Sequence, residues 1–278
     1  MNYRHVFHAG NFADLLKHAV LTSLLRSITV ASPSLTVIDS HAGAGLYDLA
    51  GEAARRTGEG EAGIGRLMAD SNAPAVFADL KAAVARANRD GQVRYYPGSP
   101  VIIEAALRPR DNYIACELRP DDHATLKDVL PRQAGAIVLR ADGWTIALER
   151  APASPKPLLV LIDPPFEHPK DADRAIGLSG RILRRNRAAV IAIWVPIKDL
   201  AGFDAIVTGL EDVIGGAPLL LVEARLRPLS DPMRLNGCAM LVVNAPWSLE
   251  VDALRAAEWI AGVLGEAGAR GQAEWRKR

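Results

Sequence analysis

The stretch that most constrains this chain is Leu158-Leu159-Val160-Leu161-Ile162-Asp163-Pro164-Pro165-Phe166. Five apolar residues without alternation read as a strand buried on both faces, which belongs inside a parallel sheet covered by helices. Asp163 follows, and then two prolines that forbid both helix and ladder pairing. The strand therefore delivers a carboxylate to its C-terminal tip, beside a stiff turn and an aromatic ring. Open α/β sheets bind their ligands at that edge.

The residues of this turn suit one kind of chemistry. An exocyclic amino group on a base is a poor nucleophile, because its lone pair is delocalised into the ring. Acceptors for its N–H hydrogens draw the lone pair out of conjugation. Asp163 can accept one such bond, and the carbonyl of Pro164 the other, since proline keeps its C=O. Phe166 offers a face for a planar base, a contact worth about 1–3 kcal/mol. Asp-Pro-Pro-Phe resembles motif IV of the amino-methyltransferases. Taken alone, the four residues equally describe a turn that ends a strand, with Asp163 capping a helix.

Other segments place more chemistry on the same edge. Leu35–Asp39 reads as a short strand followed by Ser40-His41-Ala42-Gly43-Ala44-Gly45, a small-residue loop of the kind that brings backbone close to a cofactor. Asn112–Glu117 reads as a second strand ending in an acid, the position that binds ribose hydroxyls in doubly wound folds. Ala136–Leu139 is a third strand, leading to Asp142-Gly143, where Asp142 either caps the next helix or faces a cofactor. Ala188–Val195, Leu219–Arg225 and Cys238–Val243 bring the strands to seven. The last two are expected as an antiparallel edge pair, because the link between them is too short for a helical crossover.

The expected fold is α/β: a Rossmann-like, seven-stranded, mostly parallel sheet with helices on both faces. Residues 1–46 and 98–278 form that domain, and 47–97 a small helical insertion after the first strand. Five glycines break the first part of the insertion, and Pro74–Asn88 reads as a helix. Asn11 is a candidate cap for a helix running to about Ile28. By periodicity, Lys17 and His18 on that helix read as a solvated cation and a surface imidazole. Ser99 is expected to cap a helix over Val101–Leu107, and the Arg276-Lys277-Arg278 tail to fray.

Composition excludes little. The net charge of +1 does not announce a polyanion binder, so nucleic acid would have to meet local basic patches. Cys116 and Cys238 are the two cysteines, which suits a reducing cytosol and offers no zinc knuckle; no metal is expected. No apolar run reaches a membrane span, and the first residues have no signal-peptide core.

The chain resembles the RlmJ family of bacterial large-subunit ribosomal RNA adenine-N6 methyltransferases. The resemblance runs through Tyr3-Arg4-His5, Phe7-His8-Ala9-Gly10-Asn11, Leu16-Lys17-His18 and Asp39-Ser40-His41-Ala42-Gly43-Ala44-Gly45. It continues in Arg56-Thr57-Gly58-Glu59, Arg94-Tyr95-Tyr96-Pro97-Gly98-Ser99-Pro100, Asp142-Gly143, Ile162-Asp163-Pro164-Pro165 and Asn244-Ala245-Pro246-Trp247. It implies a class I fold and S-adenosylmethionine (SAM) as cofactor. Position by position, it implies that His18, His41, Ser99, Glu117, Asp142, Gly143 and Asp163 line the SAM pocket, with Lys17 nearby. Glu117 would take the ribose hydroxyls, and Asp163 would be the catalytic acceptor together with Pro164 and Phe166. Tyr3 would touch RNA. The implied substrate is 23S rRNA not yet in a complete large subunit, met by a cytoplasmic monomer. Phe166 departs from the family, which often has Tyr there. Rival readings are an amino-methyltransferase acting on DNA adenine or a protein amide, and a catalytically silent RNA-binding module. A dinucleotide oxidoreductase would lack its full Gly-x-Gly-x-x-Gly.

Overall fold

The computed structural model describes residues 4–89, 91–130, 136–153, 156–231 and 233–277. In chain order the elements are α1 (Phe12–Ala31), β1 (Thr36–Asp39), β2 (Leu46–Asp48), α2 (Glu52–Thr57), α3 (Arg66–Ala69), α4 (Ala78–Ala87), β3 (Tyr95–Pro97), α5 (Ser99–Ala106) and β4 (Asn112–Cys116). There follow α6 (Pro120–Val129), β5 (Ala136–Leu139), α7 (Gly143–Arg150), β6 (Leu158–Ile162), α8 (Asp171–Arg185) and β7 (Val190–Ile197). The chain continues through α9 (Leu200–Val213), β8 (Leu219–Arg225), β9 (Gly237–Val243), α10 (Leu249–Leu264) and β10 (Arg270–Lys277).

The main sheet has the order β10-β8-β9-β7-β6-β1-β4-β5. The run from β5 to β7 is parallel. β9 enters antiparallel between β7 and β8. The strand order reverses beside β1, between its neighbours β4 and β6, and that reversal opens a crevice at the carboxyl ends.

All five residues of β6 are buried, as an uninterrupted apolar run requires. Leu159 and Leu161 join the core under α1 and α10. Leu158, Val160 and Ile162 join the core under α7, α8 and α9. The two-residue period of a strand thus divides one segment between two helical layers.

The sheet differs from the seven-stranded expectation by one strand. Residues 270–277, expected to fray at their end, form β10, antiparallel to β8. Arg276 bonds Glu211, and Lys277 donates to the carbonyls of Glu211 and Gly215. Those bonds tie down a segment whose polar sequence carries no apolar signal. β8 and β9 are antiparallel as expected, but neither is an edge. Arg278 lies outside the described residues.

Residues 47–97 carry a helical turn at Glu61–Gly65, short α2 and α3, and α4 preceded by a 3-10 turn at Ala75–Phe77. β2 and β3 pair antiparallel at the two ends of this stretch. Its first half packs on the N-terminal segment: the Ile64 N–H donates to the Gly10 carbonyl at 2.8 Å. A Cβ at Gly63 would collide with that same carbonyl. Among the described residues no helix is long and apolar enough to cross a membrane.

Leu161 is fully buried between β1 and β7. Leu161→Ala is expected to lower stability by about 2–5 kcal/mol through lost burial and a residual cavity. The drop is read as a lower urea midpoint with an unchanged denaturant slope.

Candidate active site

A cleft of about 1300 Å³ opens at the carboxyl ends of the parallel strands. The loops after β1, β4 and β5 line one side, with Ser40–Gly43, Glu117–Arg119 and Ala141–Trp144. The β6 turn, Asp163–His168, lines the other, followed by Trp194, Pro196 and Lys198 from β7 and its end. The N-terminal segment and the start of α1 complete the wall, with Arg4, His5, His8, Asp14, Lys17 and His18.

The start of α1 is built by capping. Asn11 accepts from the backbone N–H groups of Ala13 and Asp14, at 2.9 and 3.1 Å. One turn later Lys17 Nζ lies 2.6 Å from Asp163 Oδ2 and 2.9 Å from Asp14 Oδ1. Lys17 is no solvated cation: its side chain is 7% exposed. Burial alone would lower its pKa, but Asp14 and Asp163 hold it well above the ordinary lysine value. Asp14 is buried too, and the charges of His5 and Lys17 overcome that burial and hold its carboxyl well below the usual range. Its Oδ2 meets His5 Nε2 at 3.0 Å and the Gly10 N–H at 2.9 Å.

His18 is fully buried, not a surface imidazole. Its Nδ1 lies 2.6 Å from the Tyr96 hydroxyl, and its Nε2 has no hydrogen-bond partner among the described residues. Periodicity misplaced both residues because α1 is covered on several sides, by α5, α10, α4 and β9. Such a helix has no solvated face for a period to reveal.

The β1 loop carries the positive φ of +67° at Gly43 that a side chain would resist. The Gly43 N–H donates to Glu117 Oε2 at 2.9 Å, and the Arg119 N–H to Glu117 Oε1 at 2.7 Å. Glu117 is thereby fixed at the rim, its pKa raised by burial. Asp142 is the helix cap that the sequence allowed. It caps α7, with Oδ1 3.4 Å from the Trp144 N–H, and it lines the cleft. Gly143 lies so close to the chain that a Cβ would fall on the Ser40 carbonyl. Ser99 does not cap its helix, where Gly98 takes the N-cap position. Its hydroxyl instead donates to Asp39 Oδ2 at 2.7 Å. Burial raises the Asp39 carboxyl to about 6. His41 packs edge-on against Trp144 at 4.7 Å and meets the Ser40 hydroxyl at 2.8 Å.

In the Asp163 turn, Pro164 is buried and Phe166 half-buried. Phe166 adopts φ +50°, a conformation rare for a bulky residue. Its ring lies 5.9 Å from that of Trp194, tilted by 56°. Trp194 reads in sequence as one more residue of a buried strand, yet it is only partly buried and faces the cleft. Asp14 and Tyr96 also carry no sequence signal of their own, since helix and strand placement account for them. Tyr3 lies outside the described residues.

Residues 32–277 match the family model described as Ribosomal RNA large subunit methyltransferase D, RlmJ. This chain belongs to the RlmJ family. It is 34% identical over 268 residues to Ribosomal RNA large subunit methyltransferase J of Escherichia coli (strain K12), covering 96% of this chain and 95% of that protein. It is 33% identical over 253 residues to the protein of the same name from Haemophilus influenzae (strain Rd), covering 91% and 90%. The crystal structure of protein LPL1258 from Legionella pneumophila superposes with a TM-score of 0.88 at 25% identity, over 96% of this chain and 98% of that one. A probable spermidine synthase from Corynebacterium glutamicum shares the fold, with a TM-score of 0.51 at 13% identity over 92% and 74%. As an RlmJ member the chain is a methyltransferase that uses SAM. The RlmJ cleft fits such a donor: its rim fixes a half-buried carboxylate, its loops leave no room for a Cβ at Gly143, and a buried imidazole nitrogen there lacks a partner.

Burial depresses both cleft histidines, His41 to about 4 and His18 to about 3. They stay neutral in the fold while the unfolded chain binds protons near 6.5. Below that value the unfolded state holds more protons, so stability is lost as pH falls from about 6.5 towards 4. His41→Asn is expected to flatten this slope, measured as urea midpoints at several pH values between about 7 and 4.5.

Proposed function

We propose that this chain methylates the exocyclic N6 of one adenine in 23S rRNA, working as a cytoplasmic monomer on RNA not yet packed into a complete large subunit. The observation that carries the reading is the Asp163–Lys17 contact at the mouth of β6. Lys17 occupies Oδ2 at 2.6 Å, which leaves Oδ1 to accept from an incoming amino group.

The adenine leaves its stack to reach this turn, and Phe166 and Trp194 give it an aromatic platform. Asp163 Oδ1 and the Pro164 carbonyl accept the two N6 hydrogens and turn the nitrogen lone pair out of the ring. Lys17 holds the carboxylate in place, and Asp14 holds Lys17. SAM supplies an electrophilic methyl group on a sulfonium. On the donor side, Glu117 takes the ribose hydroxyls and the Asp142–Gly143 corner the adenine end. His18, His41 and Ser99 line the remainder, with Lys17 beside them. Much of the rate arises from holding N6 in line with that methyl group. Asp163 receives the proton that N6 gives up after attack.

Asp163→Ala is expected to fold, with some loss of stability because Lys17 keeps Asp14 as its remaining carboxylate. It should bind SAM and lose methyl transfer by about 100-fold or more, as when a preorganised polar contact is removed. Tritiated methyl incorporation into unmodified 23S rRNA, with DNA and protein as parallel substrates, measures this. Parental activity in the variant overturns the role of Asp163, and incorporation into DNA or protein alone overturns the substrate.

A further inference from the structure

Tyr96 stands in the Tyr95-Tyr96-Pro97 strand that returns the chain from residues 47–97. It is fully buried and stacks on the His18 ring, with centroids 5.5 Å apart and planes 28° apart. Its hydroxyl and His18 Nδ1 are 2.6 Å apart. Burial raises the Tyr96 pKa well above 10, so the hydroxyl keeps its proton. A buried hydroxyl proton needs an acceptor. Among the described residues the bond to His18 is the one hydrogen bond the Tyr96 hydroxyl makes. Tyr96 therefore donates and Nδ1 accepts. The imidazole is neutral, since burial and the nearby Lys17 charge hold its pKa at about 3. A neutral imidazole carries one proton, and with Nδ1 accepting, that proton sits on Nε2. Nε2 is the atom without a partner and is shielded from water, on a residue that lines the cleft.

We infer that Tyr96 is a positioning residue: it locks His18 as the Nε2–H tautomer and so makes it a hydrogen-bond donor to the carboxylate of the methyl donor's amino-acid end. The inference rests on the SAM-dependent reading above. Of the groups on SAM, the carboxylate is the anionic acceptor that a buried N–H donor beside the Lys17 ammonium favours. The tautomer depends on one phenolic oxygen, so removing that oxygen frees the ring to carry its proton on either nitrogen.

Two measurements test this. The first is long-range ¹⁵N–¹H NMR of the histidine-labelled parent protein without SAM, with His18→Gln to assign the signal. It is expected to show His18 protonated at Nε2, and protonation at Nδ1 overturns the proposal. The second is calorimetry of SAM and decarboxylated SAM with the parent and Tyr96→Phe. The variant is expected to bind SAM about twofold more weakly, because about half of its imidazoles carry the proton on the other nitrogen, and decarboxylated SAM with parental affinity. Equal losses for both ligands, or no loss for SAM, overturn it. Should Tyr96→Phe not fold, the NMR result on the parent decides alone. A parent that binds neither ligand refutes the SAM reading rather than the role of Tyr96, whose tautomer signature is read without any ligand.

Discussion

The site depends on one buried ion-pair cluster, in which Lys17 joins Asp163 at the end of β6 to Asp14 at the start of α1. A lysine taken out of water has to be compensated, and here two carboxylates surround it. Removing one partner of such a cluster costs more than the cluster itself contributes. The arrangement thus orients rather than stabilises. It fixes the direction of the Asp163 carboxylate at the edge of the cleft. The cluster also explains why α1, which precedes the sheet in the chain, forms a wall of the cleft at its carboxyl edge.

Around this point the fold divides its work. The strands on one side of the order reversal, β1, β4 and β5, end in loops with close backbone approaches and a fixed acid, Glu117. Those on the other side, β6 and β7, end in a stiff proline turn and two aromatic rings. Both halves line one cleft, and Asp163 lies between them. The N-terminal segment and residues 47–97 are held to each other by a bond from Asn11 to Glu59 and a contact of His8 with the same carboxylate. The depressed pKa values of His18 and His41 share one cause, the burial of both rings in the protein.

Much of this was legible in the chain because it is local. The unbroken apolar run of β6 followed by Asp163-Pro164-Pro165 reads as a buried strand that stops abruptly. Asn11 was readable as a cap and β8–β9 as a pair, since both depend on neighbours in sequence. Lys17 and His18 were misread from periodicity, because α1 is covered on several sides and its polar residues point into a cleft rather than into solvent. The C-terminal strand was missed because its pairing with β8 is a long-range event with no apolar signature. Nothing in the Ala188–Val195 strand pattern singles out Trp194, because such a pattern does not say which end of the strand opens into a cavity.

The sequence alone determined the parallel sheet, its carboxyl rim and the identities of the groups placed there, since strand period, proline and glycine geometry act over a few residues. Tertiary structure decided which of those groups meet. The pairing of Lys17 with Asp163 spans 146 positions and that of His18 with Tyr96 spans 78. No local rule reaches so far: a charged or polar atom taken out of water needs compensating partners, and packing chooses which.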